Sequence, residues 1–190
     1  AEIVGDRGDP GRAVELLRQV VRRAKASGAS FEVLFFECLR ARFLARAGDP
    51  AAALRELERI TGELDAQGRA VFALDARARQ AECLALLGRA RDALAMAEAQ
   101  LDRTANLPGT ATALPLLHRV RGFALAQSGR SSEAAEALRT SLDLAREQHA
   151  LHEVAFTLDA LVRLAGMRPD LDMAGAAGEL ATLREQLAMT

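Results

Sequence analysis

The sequence predicts an all-α protein, an α-solenoid built from antiparallel helix pairs. The chain of 190 residues is 50% hydrophobic and 27% charged, so it can bury a core. Val, Ile and Thr, which are typical of strands, make up only about a tenth of it. A short motif also recurs about every 40 residues, and a period of this length is typical of stacked helical repeats.

Four glycines mark the repeat, and each is expected to end a helix in a left-handed turn. The turns are predicted near Gly8, Gly48, Gly88 and Gly129. Asp9 and Asp49 follow the first two glycines, where an aspartate caps the next helix. Five residues after each glycine stands an alanine, small enough to let two helices approach closely: Ala13, Ala53, Ala93 and Ala134.

Apolar residues at helical spacing predict nine helices. The predicted helices cover 10–27, 31–47, 50–66, 69–87, 89–104, 112–128, 131–148, 151–166 and 172–188. The stretch 106–112, which contains Pro108 and Gly109, is predicted as the one longer loop. We expect residues 1–190 to form a single array with a degenerate cap over 167–190, because a terminal repeat closes the stack.

Composition and motifs give no support to several classes of function. The net charge of −1 exerts no general attraction on nucleic acid, and no apolar run is long enough to span a membrane. The sequence has no P-loop, no His-Glu-x-x-His and no Cys-x-x-Cys motif. We therefore expect a non-enzyme with no catalytic residue, no cofactor and no metal.

The histidines and cysteines leave two minor alternatives open. His149 and His152 are three residues apart and could hold a metal on one helix, but they are expected to straddle a turn. Cys38 and Cys83 are predicted to be buried thiols rather than a disulfide. A chain of this kind is expected in the cytoplasm.

The recurring motif resembles the tetratricopeptide repeat. It reads small-x-x-Leu-Ala-x-x-Gly-[Asp/Arg]-x-x-x-Ala and occurs at 41–53, 81–93 and 122–134. Leu44, Leu84 and Leu125 stand where a Tyr is common, and the unit is longer than the usual 34 residues. The resemblance implies a right-handed superhelix.

Helix pairs of about 40 residues look like the superhelical domains of large bacterial regulators. These include MalT-like activators, signal-transduction ATPases and actinobacterial cyclase-linked ATPases. The use of Arg almost to the exclusion of Lys, with Lys25 the single lysine, fits a bacterium of high GC content. The resemblance implies a regulatory or protein-interaction scaffold acting in transcriptional regulation or signal transduction.

The tetratricopeptide pattern implies a groove lined by the first helix of each pair. Its expected lining residues are Phe35, Arg42, Arg46, Asp75, Glu82, Arg119, Phe123 and Gln127. The expected partner is a protein or peptide, or a neighbouring domain of the same chain, and a homo-oligomer is left open. No direct contact with nucleic acid or membrane is expected.

A second function is kept as an alternative, namely a small-molecule sensor domain that controls an attached ATPase or DNA-binding module. Trp and Tyr are absent, which argues against a sugar ligand because sugars favour these rings. Four phenylalanines crowd one predicted helix: Phe31, Phe35, Phe36 and Phe43. Most are expected in the core, and one is expected in a groove or in an interface between protomers.

The turn assignment can be tested by replacing Gly48 with a β-branched residue. Gly48→Val should lower the free energy of unfolding by at least about 1 kcal/mol, because a left-handed backbone places Cβ against the following carbonyl. Thermal unfolding followed by circular dichroism measures the effect. A variant that melts at the wild-type temperature would contradict the turn.

Overall fold

The computed structural model describes residues 9–168 and 175–189, and this part of the chain contains nine α-helices and no strand. The helices are α1 Pro10–Ala26, α2 Ser30–Arg46, α3 Pro50–Ala66, α4 Ala70–Leu86, α5 Ala90–Thr104, α6 Leu114–Gln127, α7 Ser131–Glu147, α8 Leu151–Met167 and α9 Ala176–Met189. A short 3-10 helix, Ala111–Ala113, precedes α6. The all-α class and the nine helices are confirmed.

Glycines in the left-handed region end the helices. Gly48, Gly88 and Gly129 have φ values of 102°, 73° and 77°, as the repeat predicts. Gly28 and Gly68 occupy the same conformation halfway between the predicted turns, with φ of 73° and 67°. The chain therefore reverses about every 20 residues. The turn predicted at Gly8 lies outside the described residues.

Two aspartates cap the starts of α1 and α3, as the sequence predicts. The Asp9 side chain accepts a hydrogen bond from the Arg12 backbone N–H at 2.8 Å, and Asp49 accepts one from Ala52 at 3.0 Å. Pro10 opens α1 and has no N–H of its own to satisfy. Each aspartate thus satisfies a backbone donor that the helix itself leaves without a partner.

The chain divides into two compact units between Leu87 and Gly88. In the first unit, α1 packs on α2, α2 on α3 and α3 on α4, and Phe43 joins Ala13, Val14 and Leu17 in a buried cluster. In the second unit, α5 to α9 follow the same succession around Leu125, Leu138 and Leu158. That residues 1–190 form a single array, closed by a cap over 167–190, stays a prediction.

Small residues permit the close approach of paired helices. Ala53, Ala93 and Ala134 have no exposed surface, which confirms the expected register. Gly122 on α6 goes further, because a Cβ added there would lie 2.6 Å from Cγ of Leu138 and 3.3 Å from the backbone oxygen of Ala134. Leu138 is itself 1% exposed, so it has no room to move away.

Two ion pairs connect the end of one helix to the middle of the next. Lys25 Nζ lies 2.9 Å from a Glu37 carboxylate oxygen, and Asp65 pairs with Arg77. Each pair spans twelve residues, and the second lies one 40-residue repeat after the first. The cation comes first in one pair and the anion comes first in the other.

Gly122 and Gly62 provide a matched pair of substitutions. Gly122→Ala should lower the free energy of unfolding by about 1–3 kcal/mol, because the added methyl overpacks the contact with Leu138. Gly62 lies exposed in α3 with nothing within 4 Å of an added Cβ. Gly62→Ala should therefore stabilise the protein by up to about 1 kcal/mol.

Urea denaturation of both variants measures these changes, and an unchanged slope shows that the unfolded state is comparable. Destabilisation of the same size in both variants would contradict the close α6–α7 contact. It would instead indicate a general cost of alanine in these helices.

Candidate functional site

An exposed aromatic patch lies on the first unit, where α2 and α4 run side by side. We define it by Phe31 and Phe35 on α2 and Phe72 on α4. The ring centroids of Phe31 and Phe72 are 4.8 Å apart and those of Phe35 and Phe72 are 6.5 Å apart, both in edge-to-face arrangement. Phe35 is 45% exposed and Phe72 is 39% exposed. Three phenylalanines thus form a continuous apolar surface.

A cation adjoins this patch at one end. The guanidinium carbon of Arg69 lies 4.7 Å from the centroid of the Phe31 ring, within the range of a cation–π interaction. Arg69 is exposed and immediately precedes α4. The aromatic patch therefore presents a positive charge next to its apolar surface.

A charged cluster of Arg42, Asp75, Arg79 and Glu82 lies on the same two helices. Asp75 accepts a hydrogen bond from Nε of Arg79 at 3.1 Å. Arg42 and Glu82 are both buried, with exposures of 9% and 7%. Asp75, Arg79 and Arg42 act electrostatically on Cys38, and Glu82 and Arg79 act on Cys83, so the four charges lie close to the same two thiols.

The two cysteines lie beneath these charges. Burial raises the pKa of Cys38 to about 12, and Asp75 adds to this rise. Burial also raises the pKa of Cys83 to about 12, with Glu82 contributing. Both are free thiols, as predicted. Because the thiolate is the reactive form, the raised pKa lowers the reactivity of both thiols near neutral pH.

Arg42 and Arg46 both approach Phe43. Their guanidinium carbons lie 5.2 Å and 5.9 Å from the centroid of its ring. Phe43 has no exposed surface, so it is a core residue, whereas Arg46 is half-buried. Of the four phenylalanines on α2, Phe43 is buried, Phe31 and Phe36 are half-buried, and Phe35 is exposed, so fewer of them lie in the core than expected.

The remaining expected groove residues lie in the second unit. Arg119 is 4% exposed; its Nη2 donates to Oε2 of Glu153 at 2.9 Å, and its guanidinium lies over the Phe156 ring. Phe123 is half-buried against the core, and Gln127 is exposed at the end of α6. Arg119 thus joins α6 to α8.

That Phe35 and Asp75 line a groove stays a prediction; in the structure Phe35 is exposed and Asp75 is half-exposed. The sequence analysis missed two other residues at the aromatic patch. Phe72 and Arg69 were not expected. One signal was available for Phe72, which follows Phe31 by 41 residues and thus lies about one repeat further along.

The histidines occupy separate local environments. His149 lies in the turn between α7 and α8, and His152 is the second residue of α8. Burial lowers the pKa of His118, which lies on α6, and the positive charge of Arg121 lowers it further. Among the described residues, no group of three or more His, Cys, Asp or Glu side chains is placed to hold a metal ion.

No helix within 9–168 and 175–189 has the length and apolar character needed to cross a membrane.

No protein-family model and no curated protein matches the chain. Among solved structures, the chain is similar to one described as "MamA RS-1 ArsTM double mutant", with 20% sequence identity and a TM-score of 0.46. The similarity covers 93% of this chain and 95% of that one. The fold assignment therefore depends on the helices and turns described above.

Glu37 links α2, the helix that carries Phe31 and Phe35, to two neighbouring helices. Its carboxylate is almost fully buried on α2 and bonds to Lys25 at the end of α1 and to Arg59 on α3. Burial acts to raise the pKa of Glu37, but the hydrogen bonds from Lys25 and Arg59 outweigh it and hold the pKa below its usual value. Three helices are thus connected through one carboxylate.

Replacing this carboxylate should weaken the first unit in a pH-dependent way. Glu37→Gln should lower the free energy of unfolding near neutral pH by about 1–2 kcal/mol, since both cations are half-exposed and the loss is smaller than for a fully buried pair. A lowered pKa stabilises the fold above the unfolded value of 4.5. The difference between wild type and variant should therefore shrink as pH falls below that value.

Urea denaturation between about pH 3 and pH 7 measures this difference. Glu63→Gln is the control, because Glu63 is half-exposed and also pairs with Arg59 but does not contact Lys25. A difference that stays constant across this pH range would contradict the role of the Glu37 charge.

Proposed function

We propose that this chain is a non-catalytic protein-interaction scaffold and that the aromatic patch of its first unit is the binding surface. The observation that carries the proposal is the exposure of Phe35 and Phe72 side by side on one unit. Clustered exposed aromatic rings are enriched at the centres of protein interfaces.

The partner we propose is a protein segment with an apolar anchor next to an acidic residue. A phenyl ring has no hydrogen-bonding group, so the patch favours an aliphatic or aromatic side chain. Arg69 over Phe31 supplies the exposed positive charge beside the patch, and a carboxylate of the partner would complement it. Arg42 and Glu82, which were predicted to line a groove, are buried, so we propose that they act by positioning the side chains around them.

We further propose a setting for this scaffold, namely the cytoplasm of a bacterium as one part of a larger regulator. The free thiols of Cys38 and Cys83 support a reducing compartment. The resemblance to the superhelical domains of bacterial regulators supports a role in transcriptional regulation or signal transduction. In that setting the acidic, apolar segment belongs to a partner protein or to a neighbouring domain of the same chain.

Peptide display tests the binding surface directly. A random peptide library selected on the wild-type chain should yield sequences with an apolar anchor and an adjacent Asp or Glu. Phe35→Ala combined with Phe72→Ala should weaken binding of a selected peptide at least about tenfold, since exposed aromatic anchors dominate interface energetics. Fluorescence anisotropy measures the affinity.

Two matched controls distinguish this surface from others. Met167→Ala removes a side chain that is 64% exposed on the second unit and should leave binding unchanged. Arg69→Glu should abolish the preference for acidic peptides, whereas Arg55→Glu, at an exposed position on α3, should preserve it. Peptides that bind the double phenylalanine variant as tightly as wild type would contradict the proposal.

Sedimentation of the same variants tests the alternative of a second copy. If the wild-type chain forms a dimer that Phe35→Ala and Phe72→Ala convert to a monomer, the patch is a self-association surface. That result would overturn the proposed partner.

A further inference from the structure

We propose that the second unit contains a binding site for a small, uncharged organic molecule with an apolar body and one polar group. The site is a cavity of about 300 Å³ between the end of α7, the turn that follows it, the start of α8 and the middle of α9. This volume lies at the lower end of the range for ligand pockets. No residue of the aromatic patch takes part, so the inference does not depend on the proposed function.

Three aliphatic side chains form the apolar part of the cavity. Val154 on α8 and Leu183 on α9 are 5% and 7% exposed. Leu151 lies at the first position of α8 and is 51% exposed, although it borders the same cavity. An apolar molecule placed here would remove the surface of Leu151 from water, which favours binding.

The charges that border the cavity cancel. Nη2 of Arg146 on α7 lies 2.7 Å from both carboxylate oxygens of Glu179 on α9, and both residues line the cavity. A bound anion would lie close to Glu179, and a bound cation would lie close to Arg146. An uncharged ligand avoids both repulsions and leaves the ion pair intact.

His149 supplies a polar group at a structurally unusual position. Its φ is 54°, and it is the one residue other than glycine with a positive φ among those the structure describes. Gly129, one turn earlier, and Gly88 adopt this conformation without a side chain. The turn at His149 is therefore strained, and it places the imidazole of His149 at the cavity.

A hydroxyl or carbonyl of the ligand can pair with this imidazole. Thr182, also lining the cavity, donates its hydroxyl hydrogen to the Gly178 backbone oxygen and keeps acceptor capacity on its own oxygen. The polar groups thus lie beside an apolar floor, an arrangement typical of sites for small amphipathic molecules.

Methyl-labelled protein titrated with three probes that share a cyclohexyl ring tests the site. Cyclohexanol should produce saturable chemical-shift changes in the methyl resonances of Leu151, Val154 and Leu183. Cyclohexanecarboxylate and cyclohexylammonium should bind about tenfold more weakly, because each introduces a charge without a partner. Equal or tighter binding of a charged probe, or changes that do not saturate, would overturn the proposal.

Two variants and one control locate the binding. Thr182→Phe, at an exposed position on α9, should fill the cavity and abolish the cyclohexanol effect while the spectrum of the remaining methyl groups is retained. His149→Gly should raise the melting temperature by relieving the strained turn and should weaken cyclohexanol binding. His152→Gln, three residues along and outside the cavity lining, should change neither property.

The outcome for His149→Gly separates strain from binding. A higher melting temperature with unchanged affinity for cyclohexanol would overturn the assigned role of the imidazole. Undiminished affinity in Thr182→Phe would overturn the location of the site. Neither result bears on the aromatic patch, which the peptide experiments test separately.

Discussion

Reversal of the chain about every 20 residues is the constraint on which the rest of the structure depends. A left-handed residue after six of the helices, at Gly28, Gly48, Gly68, Gly88, Gly129 and His149, allows the backbone to turn within a few residues. The spacing of these turns limits most helices to 17 residues, about 25 Å in length. Because each helix within a unit then returns along the one before it, the apolar stripes of neighbouring helices face each other. The buried alanines, the ion pairs and the exposed patch all follow from this register.

Most of the fold could be predicted because its determinants are local. A glycine that ends a helix, an aspartate that caps one and an alanine that admits a neighbour each act within a few residues. The sequence therefore predicts α3 at its observed bounds and places Ala53 and Ala134 in the core. Gly28 and Gly68 escaped notice since they lie between the motif glycines, although their effect on the backbone is the same.

The candidate site was less predictable because exposure depends on partners distant in sequence. Arg119 has the charge and spacing expected of a groove residue, yet Glu153, 34 residues later, draws it into the contact between α6 and α8. Phe72 becomes visible as a site residue only when its ring is seen beside Phe31.

The ion pairs Lys25–Glu37 and Asp65–Arg77 have opposite orders of charge, and this difference affects which helices can pair during folding. In a protein of similar repeats, α1 could take the place of α3 against α4, or α3 could take the place of α1 against α2. Either exchange of partners would place Lys25 against Arg77 or Asp65 against Glu37, so that like charges meet. The correct neighbours attract and the wrong ones repel. The α1–α2 and α3–α4 hairpins have similar apolar patterns. Their ion pairs therefore help the chain to form the correct helix pairs during folding.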